Sequence, residues 1–225
     1  MWREGRLFHS YKAGQAHVDG LLEDYAYYGL GLIELYRATG EVEHLRWAAQ
    51  LLEAIEARFR DPVGGGFYES AIDAERLILR QKPLFDAATP SGNGASALLA
   101  FWLGRYFGRP EWEALAGEVV ALLRDQLVEG ASGLGSVLQT VELLLAPPRE
   151  IAIVGESGAR APFEREVARH FLPATLLAPA PGEDGLPVLE DRTPAAGTAA
   201  AYVCENLVCN LPAATAEELA AQLSG

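Results

Sequence analysis

Apolar residues recur at intervals of three and four positions through much of the chain, a spacing typical of α-helices packed on a core. The first predicted helix begins near Leu21 and carries two neighbouring apolar stripes, which indicates burial on a broad face. The second follows Gly40, a residue suited to ending a helix, and carries one stripe. The apolar positions are Leu21, Leu22, Tyr25, Ala26, Tyr28, Gly29, Leu32, Ile33, Leu35 and Tyr36 in the first helix, and Leu45, Ala48, Leu52, Ile55 and Phe59 in the second.

The same helical hairpin occurs twice between residues 21 and 146. When LIELYRATGEVEHLRWAA is set against AFWLGRYFGRPEWEALAG, Gly40 falls on Gly108 and Leu35 on Leu103, a constant offset of 68 residues. A helix pair cannot bury its apolar face alone, so repeated pairs stack side by side and create a concave or ring-shaped surface. The repeat therefore predicts a helical array.

Turn-forming residues separate the two hairpins. In DPVGGGFYES, three consecutive glycines force a turn, after which Phe67 and Tyr68 enter a short extended piece. In TPSGNG, Thr89 is the expected N-cap and Pro90 the first helical position, unless the glycines delay the helix start. The predicted helices that follow are a third to about Phe107, a fourth from about Trp112 and a fifth over 134–145.

The order strand, helix, strand after residue 148 predicts a βαβ unit. IAIVG and TLLAPA are short apolar runs typical of buried strands, and PFEREVARHF between them is helix-like. AAYVC is a third predicted strand, and Thr215 with Glu218 forms a capping box that opens a terminal helix. We therefore predict a mainly α fold with three parts: an extended or hairpin lead-in over 1–20, helical hairpins over 21–148 and a small α/β region over 149–225.

Composition restricts the partners. Half of the residues are hydrophobic and the formal net charge is −13, so we expect an acidic globular protein. We expect neither nucleic acid nor a membrane as a partner, because phosphate binding requires clustered Lys and Arg. No apolar run approaches the roughly 20 residues of a membrane span, and MWREGRLFHSYK carries charges where a signal peptide is apolar. These features predict a cytoplasmic protein.

The sequence predicts no metal site and no cofactor. Cys204 and Cys209 are the only cysteines. Two thiols without further Cys or His partners make an incomplete zinc site, so we expect packed, unpaired thiols in a reducing compartment. IVGESG lacks the glycine spacing and the lysine of phosphate-binding loops, and no G-x-S-x-G element is present.

Four motifs, in order, resemble one family. LLEDYAYYGLGLIELYRATGE, GGGFYES, DAATPSGN and AYVCENLVCNLP are similar to the C-terminal portion of the thioredoxin-domain-containing proteins that include the spermatogenesis-associated thioredoxin-like proteins. The resemblance covers the chain from about Leu7. It implies an N-terminal thioredoxin-like domain, an (α/α)6 toroid similar to N-acylglucosamine 2-epimerases and six-hairpin glycosidases, and a short C-terminal region. Similar proteins have Asp-Gly-Ala where this chain has Asp86-Ala87-Ala88.

The fold class that follows is a partial (α/α) toroid with a small α/β unit. The sequence has no counterpart of the thioredoxin-like domain or of about half of the toroid's hairpins, and five predicted helices cannot close a six-hairpin ring. We expect completion by self-association or by a separately encoded subunit with the thioredoxin-like domain and the N-terminal hairpins; a truncated reading frame is a further explanation. The alternative function is a carbohydrate-active enzyme, epimerase-like or glycosidase-like, with a saccharide ligand.

The candidate site residues lie in loops and helix starts that border the expected cavity. Asp24 and Asp86 are the predicted catalytic acid and base. Carboxylates bind sugar hydroxyls and aromatic rings stack on apolar sugar faces, so we predict substrate binding by Glu23, Tyr25, Phe67, Tyr68, Ser91 and Asn93. Structural explanations compete, because acids in a first turn compensate the helix dipole and Ser91 can cap a helix. His9 and His17 are the histidines best placed for the proton transfer of an epimerase.

Overall fold

The computed structural model describes residues 1–75, 78–146, 148–182, 185–194, 197–205 and 208–224, and within them the protein is mainly helical with two small sheets. The helices are α1 Leu22–Thr39, α2 Val42–Phe59, α3 Gly92–Phe107, α4 Pro110–Leu122, α5 Arg124–Glu129, α6 Gly135–Leu145, α7 Ser157–Val167 and α8 Ala216–Leu223. The strands are β1 Trp2–Arg3, β2 Arg6–Lys12, β3 Gln15–Asp19, β4 Arg149–Gly155, β5 Thr175–Ala180, β6 Ala199–Glu205 and β7 Val208–Cys209.

The repeated hairpin is confirmed. α1 with α2 and α3 with α4 form two helical pairs, and each first helix ends at a glycine in the left-handed conformation, Gly40 at φ 74° and Gly108 at φ 61°. The pairs stack through α1 and α3. A Cβ on Gly29 would lie 2.7 Å from Leu99 Cδ2, so the glycine permits the close approach of these two helices.

Several elements differ from the sequence prediction. The hairpin predicted for the lead-in is present as β2 and β3, and β1 extends it to a three-stranded antiparallel sheet in the order β1-β2-β3. Ser91, not Thr89, caps α3, since its Oγ accepts a hydrogen bond from the backbone N–H of Gly94 at 3.0 Å. The predicted fourth helix is interrupted at Leu123, where ψ of 11° departs from helical geometry and separates α4 from α5.

The C-terminal unit is a mixed four-stranded sheet in the order β5-β4-β6-β7. β4 pairs in parallel with β5 through α7, as the βαβ prediction requires, and β6 runs antiparallel to β4. Alternate β4 residues serve two cores: Ile151 and Ile153 pack with α7 and α8, whereas Ala152 and Val154 join the main helical core. Thr215 caps α8 as predicted, accepting from the N–H of Glu218 at 3.2 Å.

In the described part of the chain, every helix is too short or too polar to cross a membrane.

Gly40→Ala is expected to lower the free energy of unfolding by at least about 1–2 kcal/mol, measured by urea denaturation. The left-handed backbone disfavours any Cβ, and this one would lie 2.8 Å from the carbonyl oxygen of Pro179 in β5. Gly117→Ala is the control, because that helical glycine has no heavy atom within 4 Å of an added Cβ; alanine there should raise stability by about 0.5–1 kcal/mol. Equal effects of the two substitutions would contradict the assigned role of Gly40.

Candidate functional site

A cavity of about 640 Å³ opens between the N-terminal sheet and the first helical hairpin. β1 and β2 supply one wall, and α1 with α2 supplies the other. The lining residues are Met1, Trp2, Leu7, Phe8, His9, Asp24, Tyr28 and Trp47. This volume is typical of sites for small molecules, which occupy roughly 300–1,000 Å³.

The buried hydroxyl of Tyr25 holds the sheet against the helices. Tyr25 Oη accepts hydrogen bonds from the backbone N–H of Leu7 at 2.8 Å and from the Arg58 guanidinium at 2.5 Å. Asp73 adds a second connection, since its carboxylate pairs with Arg58 at 2.8 Å and with Arg6 of β2 at 2.6 Å. Tyr25 is fully buried and therefore fixes the position of the cavity wall; its predicted contact with substrate stays a prediction.

His9 and Asp24 form a hydrogen-bonded pair at the cavity. His9 Nδ1 lies 2.9 Å from Asp24 Oδ2 and 3.1 Å from Oδ1, and Oδ2 also accepts from the backbone N–H of Leu21 at 2.8 Å. The hydrogen bond and the charge of Asp24 raise the pKa of His9 above its ordinary value of 6.5, and Glu23 in the same helical turn adds to the effect. An imidazole that is hydrogen-bonded to a carboxylate is suited to proton transfer.

Aromatic side chains supply the apolar surface of the cavity. Trp2 and Phe8 come from the sheet, and Tyr28 and Trp47 come from α1 and α2. The Tyr28 and Trp47 rings meet edge to face at 5.2 Å, and Tyr28 keeps 37% of its surface exposed. Burial of part of the ring raises the pKa of its hydroxyl, so Tyr28 stays neutral at physiological pH. The arrangement presents flat apolar surfaces beside one titratable pair.

Asp86, the second predicted catalytic carboxylate, is not among the residues that line this cavity. It accepts hydrogen bonds from the backbone N–H of Ser91 at 2.7 Å, from the N–H of Ser136 at 2.8 Å and from the Ser136 hydroxyl at 2.5 Å. Burial alone would raise the pKa of Asp86, but the bonds from Ser136 and Ser91 outweigh it and hold the pKa below its ordinary value. In this structure Asp86 joins the starts of α3 and α6, and its predicted catalytic role stays a prediction.

Asn93 and the aromatic pair after the triple glycine form a separate loop clamp. The buried Asn93 side chain accepts from the Phe67 N–H at 2.8 Å, and donates to the Phe67 carbonyl at 2.9 Å and to the Pro83 carbonyl at 3.0 Å. Phe67 is fully buried, whereas Tyr68 is half-buried beneath Arg80, whose guanidinium carbon lies 4.1 Å from the ring centre. The predicted roles of Asn93, Phe67 and Tyr68 in substrate binding stay predictions. The contacts described above stabilise the loop.

Sequence reasoning missed two groups of residues. The aromatic walls at Trp2, Tyr28 and Trp47 went unassigned, because their proximity depends on how the N-terminal sheet packs. The carboxylate of Asp61 organises the triple-glycine turn by accepting hydrogen bonds from the N–H groups of Gly64 at 2.9 Å and Val63 at 3.0 Å. The bond from Gly64, the ion pair with Lys82 and the bond from Val63 lower the pKa of Asp61 far below its usual range. An Asp before Pro and Gly is an Asx-turn signal, so this role was readable from the sequence.

The described cysteines also require a correction. Cys204 and Cys209 are predicted as unpaired thiols, but they form a disulfide across β6 and β7, where they occupy directly opposed positions. The strand pairing was not evident from the spacing of the two residues.

Fold and site together define a mainly helical protein of stacked hairpins that carries a cavity of small-molecule size. The chain is 29% identical to mouse spermatogenesis-associated protein 20 over 203 residues, and 29% and 27% identical to the human and rat proteins of that name over 202 residues. Each match covers 86% of this chain and 26% of the relative, so the chain spans about a quarter of the length of these curated relatives. This similarity supports the family resemblance of the four motifs. No family profile matches the chain.

Asp24→Asn is expected to lower the pKa of His9 towards 6.5, because the substitution removes the charge that favours the imidazolium. In the native protein the pair stabilises the fold fully below pH 6.5, and this contribution is lost as the pH rises through the higher folded-state pKa. NMR titration of the His9 ring protons measures the shift, with the ring of His17 as the internal reference. An unchanged pKa of His9 in the variant would disprove the pairing.

Proposed function

We propose that the cavity binds a saccharide and that His9, oriented by Asp24, moves a proton on it. The observation that carries the proposal is that the hydrogen-bonded His9–Asp24 pair lines the same cavity as Trp2 and Trp47. Aromatic faces stack on the C–H face of a sugar ring, and a carboxylate accepts hydrogen bonds from its hydroxyls. The site thus combines a binding surface with an acid–base group.

An isomerase or epimerase is favoured over a glycosidase. Glycoside hydrolysis uses two carboxyl groups about 5–9.5 Å apart on either side of the bond. Among the described residues that line the cavity, Asp24 alone carries a carboxylate, and Asp86 is engaged by three hydrogen bonds elsewhere. Abstraction of a proton beside a carbonyl needs one general base within reach of the substrate, and the imidazole of His9 is the base at this cavity. The similarity to N-acylglucosamine 2-epimerases that the motifs imply points to the same class.

His9→Gln is expected to leave saccharide binding intact and to slow exchange of a sugar C–H proton with solvent deuterium by about 100-fold or more. Trp47→Ala is expected to weaken binding by about tenfold, because the ring loses its stacking surface. Tryptophan fluorescence during titration with monosaccharides measures binding, and NMR in deuterated water measures exchange.

His17→Gln is the matched control for these variants, because His17 is exposed on the neighbouring strand and is not a lining residue. If no monosaccharide changes the fluorescence, the saccharide proposal is wrong. If Asp86→Asn, in a folded protein, abolishes exchange and His9→Gln does not, the catalytic role passes to Asp86.

We also propose that this chain is part of a larger (α/α) toroid, completed by a second copy or by a separate subunit. Support comes from α6, where Leu138 is 40% and Leu145 80% exposed and Val141 lies between them at helical spacing. Leu138 and Leu145 form an apolar stripe on the solvent side of the helix, which a second helix can cover, whereas the half-buried Val141 packs inward on a small cluster that includes Val137. From the resemblance of the four motifs, we expect the matched quarter of spermatogenesis-associated protein 20 to be its C-terminal portion.

Substituting Leu138 and Leu145 together by Gln is expected to dissociate the assembly to a species near the chain mass of 24.2 kDa. Size-exclusion chromatography with light scattering gives the mass of the wild type and of the variant. Val63→Gln is the control, since Val63 is 95% exposed in a loop outside the stripe. A wild-type monomer that captures no stoichiometric partner from its own extract would refute the proposal.

A further inference from the structure

The Cys204–Cys209 disulfide sits at the edge of the C-terminal sheet with its two sulfurs in different environments. Cys204 is 2% exposed within β6, whereas Cys209 is exposed on the edge strand β7. The residues face each other across the antiparallel pair, and the neighbouring bond from the N–H of Asn210 to the carbonyl of Val203 fixes that register. Of the two cysteines, Cys209 is therefore the residue that an external thiolate can approach.

A cation lies directly against the buried sulfur. Arg192 Nη2 is 3.2 Å from Cys204 Sγ and 3.8 Å from Cys209 Sγ, and its guanidinium carbon is 5.5 Å from the centre of the Tyr202 ring. Acids beside the cysteines in the sheet are already paired, Glu150 with Arg105 at 2.8 Å and Glu205 with Arg149 at 2.5 Å.

Arg192 has no carboxylate counter-ion within ion-pair distance in the described parts of the chain, and its Nη1 is buried without a hydrogen-bond partner there. Burial lowers the pKa of Arg192, and the charge of Glu150 opposes this only in part, as expected of a cation that is removed from water without a full counter-charge. A thiolate on Cys204 would supply that charge.

We propose that Cys204 and Cys209 form a redox-active site that is reduced by an external dithiol, with Arg192 stabilising the Cys204 thiolate. One thiolate of the dithiol attacks Cys209 Sγ; a new S–S bond forms, the Cys204–Cys209 bond breaks, and its electron pair goes to Cys204 Sγ beside Arg192. The second thiol of the dithiol loses its proton and attacks its partner sulfur, and Cys209 leaves as a thiolate that water protonates. The protein gains two electrons and one proton, which is carried by Cys209 while Cys204 keeps the negative charge, and the dithiol becomes a disulfide.

The arrangement has a direct thermodynamic consequence. A neighbouring cation lowers the pKa of a thiol and makes it a better leaving group. It also stabilises the reduced form, which makes the disulfide more oxidising. A structural disulfide without such a group resists reduction by the glutathione pool. We therefore expect the reduction potential of this disulfide to lie in the range that glutathione mixtures cover.

The test equilibrates the whole chain with mixtures of reduced and oxidised glutathione and counts free thiols by maleimide mass shift. The wild type is expected to be half reduced within the accessible range of mixtures, and dithiothreitol is expected to reduce it in a single rapid phase. In Arg192→Gln the equilibrium constant for reduction should fall about tenfold, which corresponds to about 30 mV, and reduction by dithiothreitol should slow. Arg192→Lys keeps the positive charge, so its equilibrium constant and its rate of reduction should stay close to those of the wild type.

Arg169→Gln is the control, because this exposed arginine pairs with Glu166 on another face of the unit. A disulfide that stays oxidised in every glutathione mixture, or cysteines that are alkylated as free thiols in protein purified without reductant, would overturn the proposal. An unchanged equilibrium constant for reduction in a folded Arg192→Gln protein would show that Arg192 does not stabilise the Cys204 thiolate. If that variant does not fold, the wild-type equilibrium decides the redox role and Arg192→Lys decides the role of the charge.

Discussion

The close packing of α1 against α3 is the constraint on which the rest of the molecule depends. Gly29 allows Leu99 to approach within van der Waals contact of the α1 backbone, and further along the interface the Tyr36 and Tyr106 rings meet edge to face at 5.4 Å. Tyr106 then donates to the carbonyl of Leu177 at 2.8 Å, which brings β5 onto the same core. One interface thus orders two hairpins and the C-terminal sheet, because neither hairpin has enough apolar surface to bury by itself.

The position of the cavity depends on Tyr25, which joins α1 to α2 and to the N-terminal sheet. Tyr25 lies near the start of α1, and its ring packs edge to face on Phe59 of α2 at 5.1 Å. A buried hydroxyl needs hydrogen-bond partners, and here Leu7 and Arg58 provide them. The N-terminal sheet is therefore coupled to the helical core by a polar contact in an apolar environment, where removing one partner costs more than an exposed hydrogen bond would. The helical core therefore determines the position of the cavity wall that carries His9.

The helices were predictable because their signal is local. Spacing of apolar residues located α1, α2, α3 and α6, and Gly40 and Gly108 marked the helix ends because only a residue without Cβ adopts φ near +60° cheaply. The N-terminal sheet was not predictable to the same degree, since its strands are largely exposed and lack regular alternation. The pairing of Cys204 with Cys209 depends on strand register, which five residues of separation do not determine.

Side-chain positions in the candidate site divide in the same way. Asp24 was identified from its place at a helix start, and the structure adds the partner that the sequence left distant, His9 on β2. Asp86 was identified from a loop of Pro and Gly, but Ser136, which engages its carboxylate, is 50 residues further along the chain. Three donors leave Asp86 ionised and fixed as an acceptor. Asp24 receives one backbone donor and pairs with an exposed imidazole, so of the two predicted carboxylates it is the one that lies beside a group able to exchange a proton with a ligand.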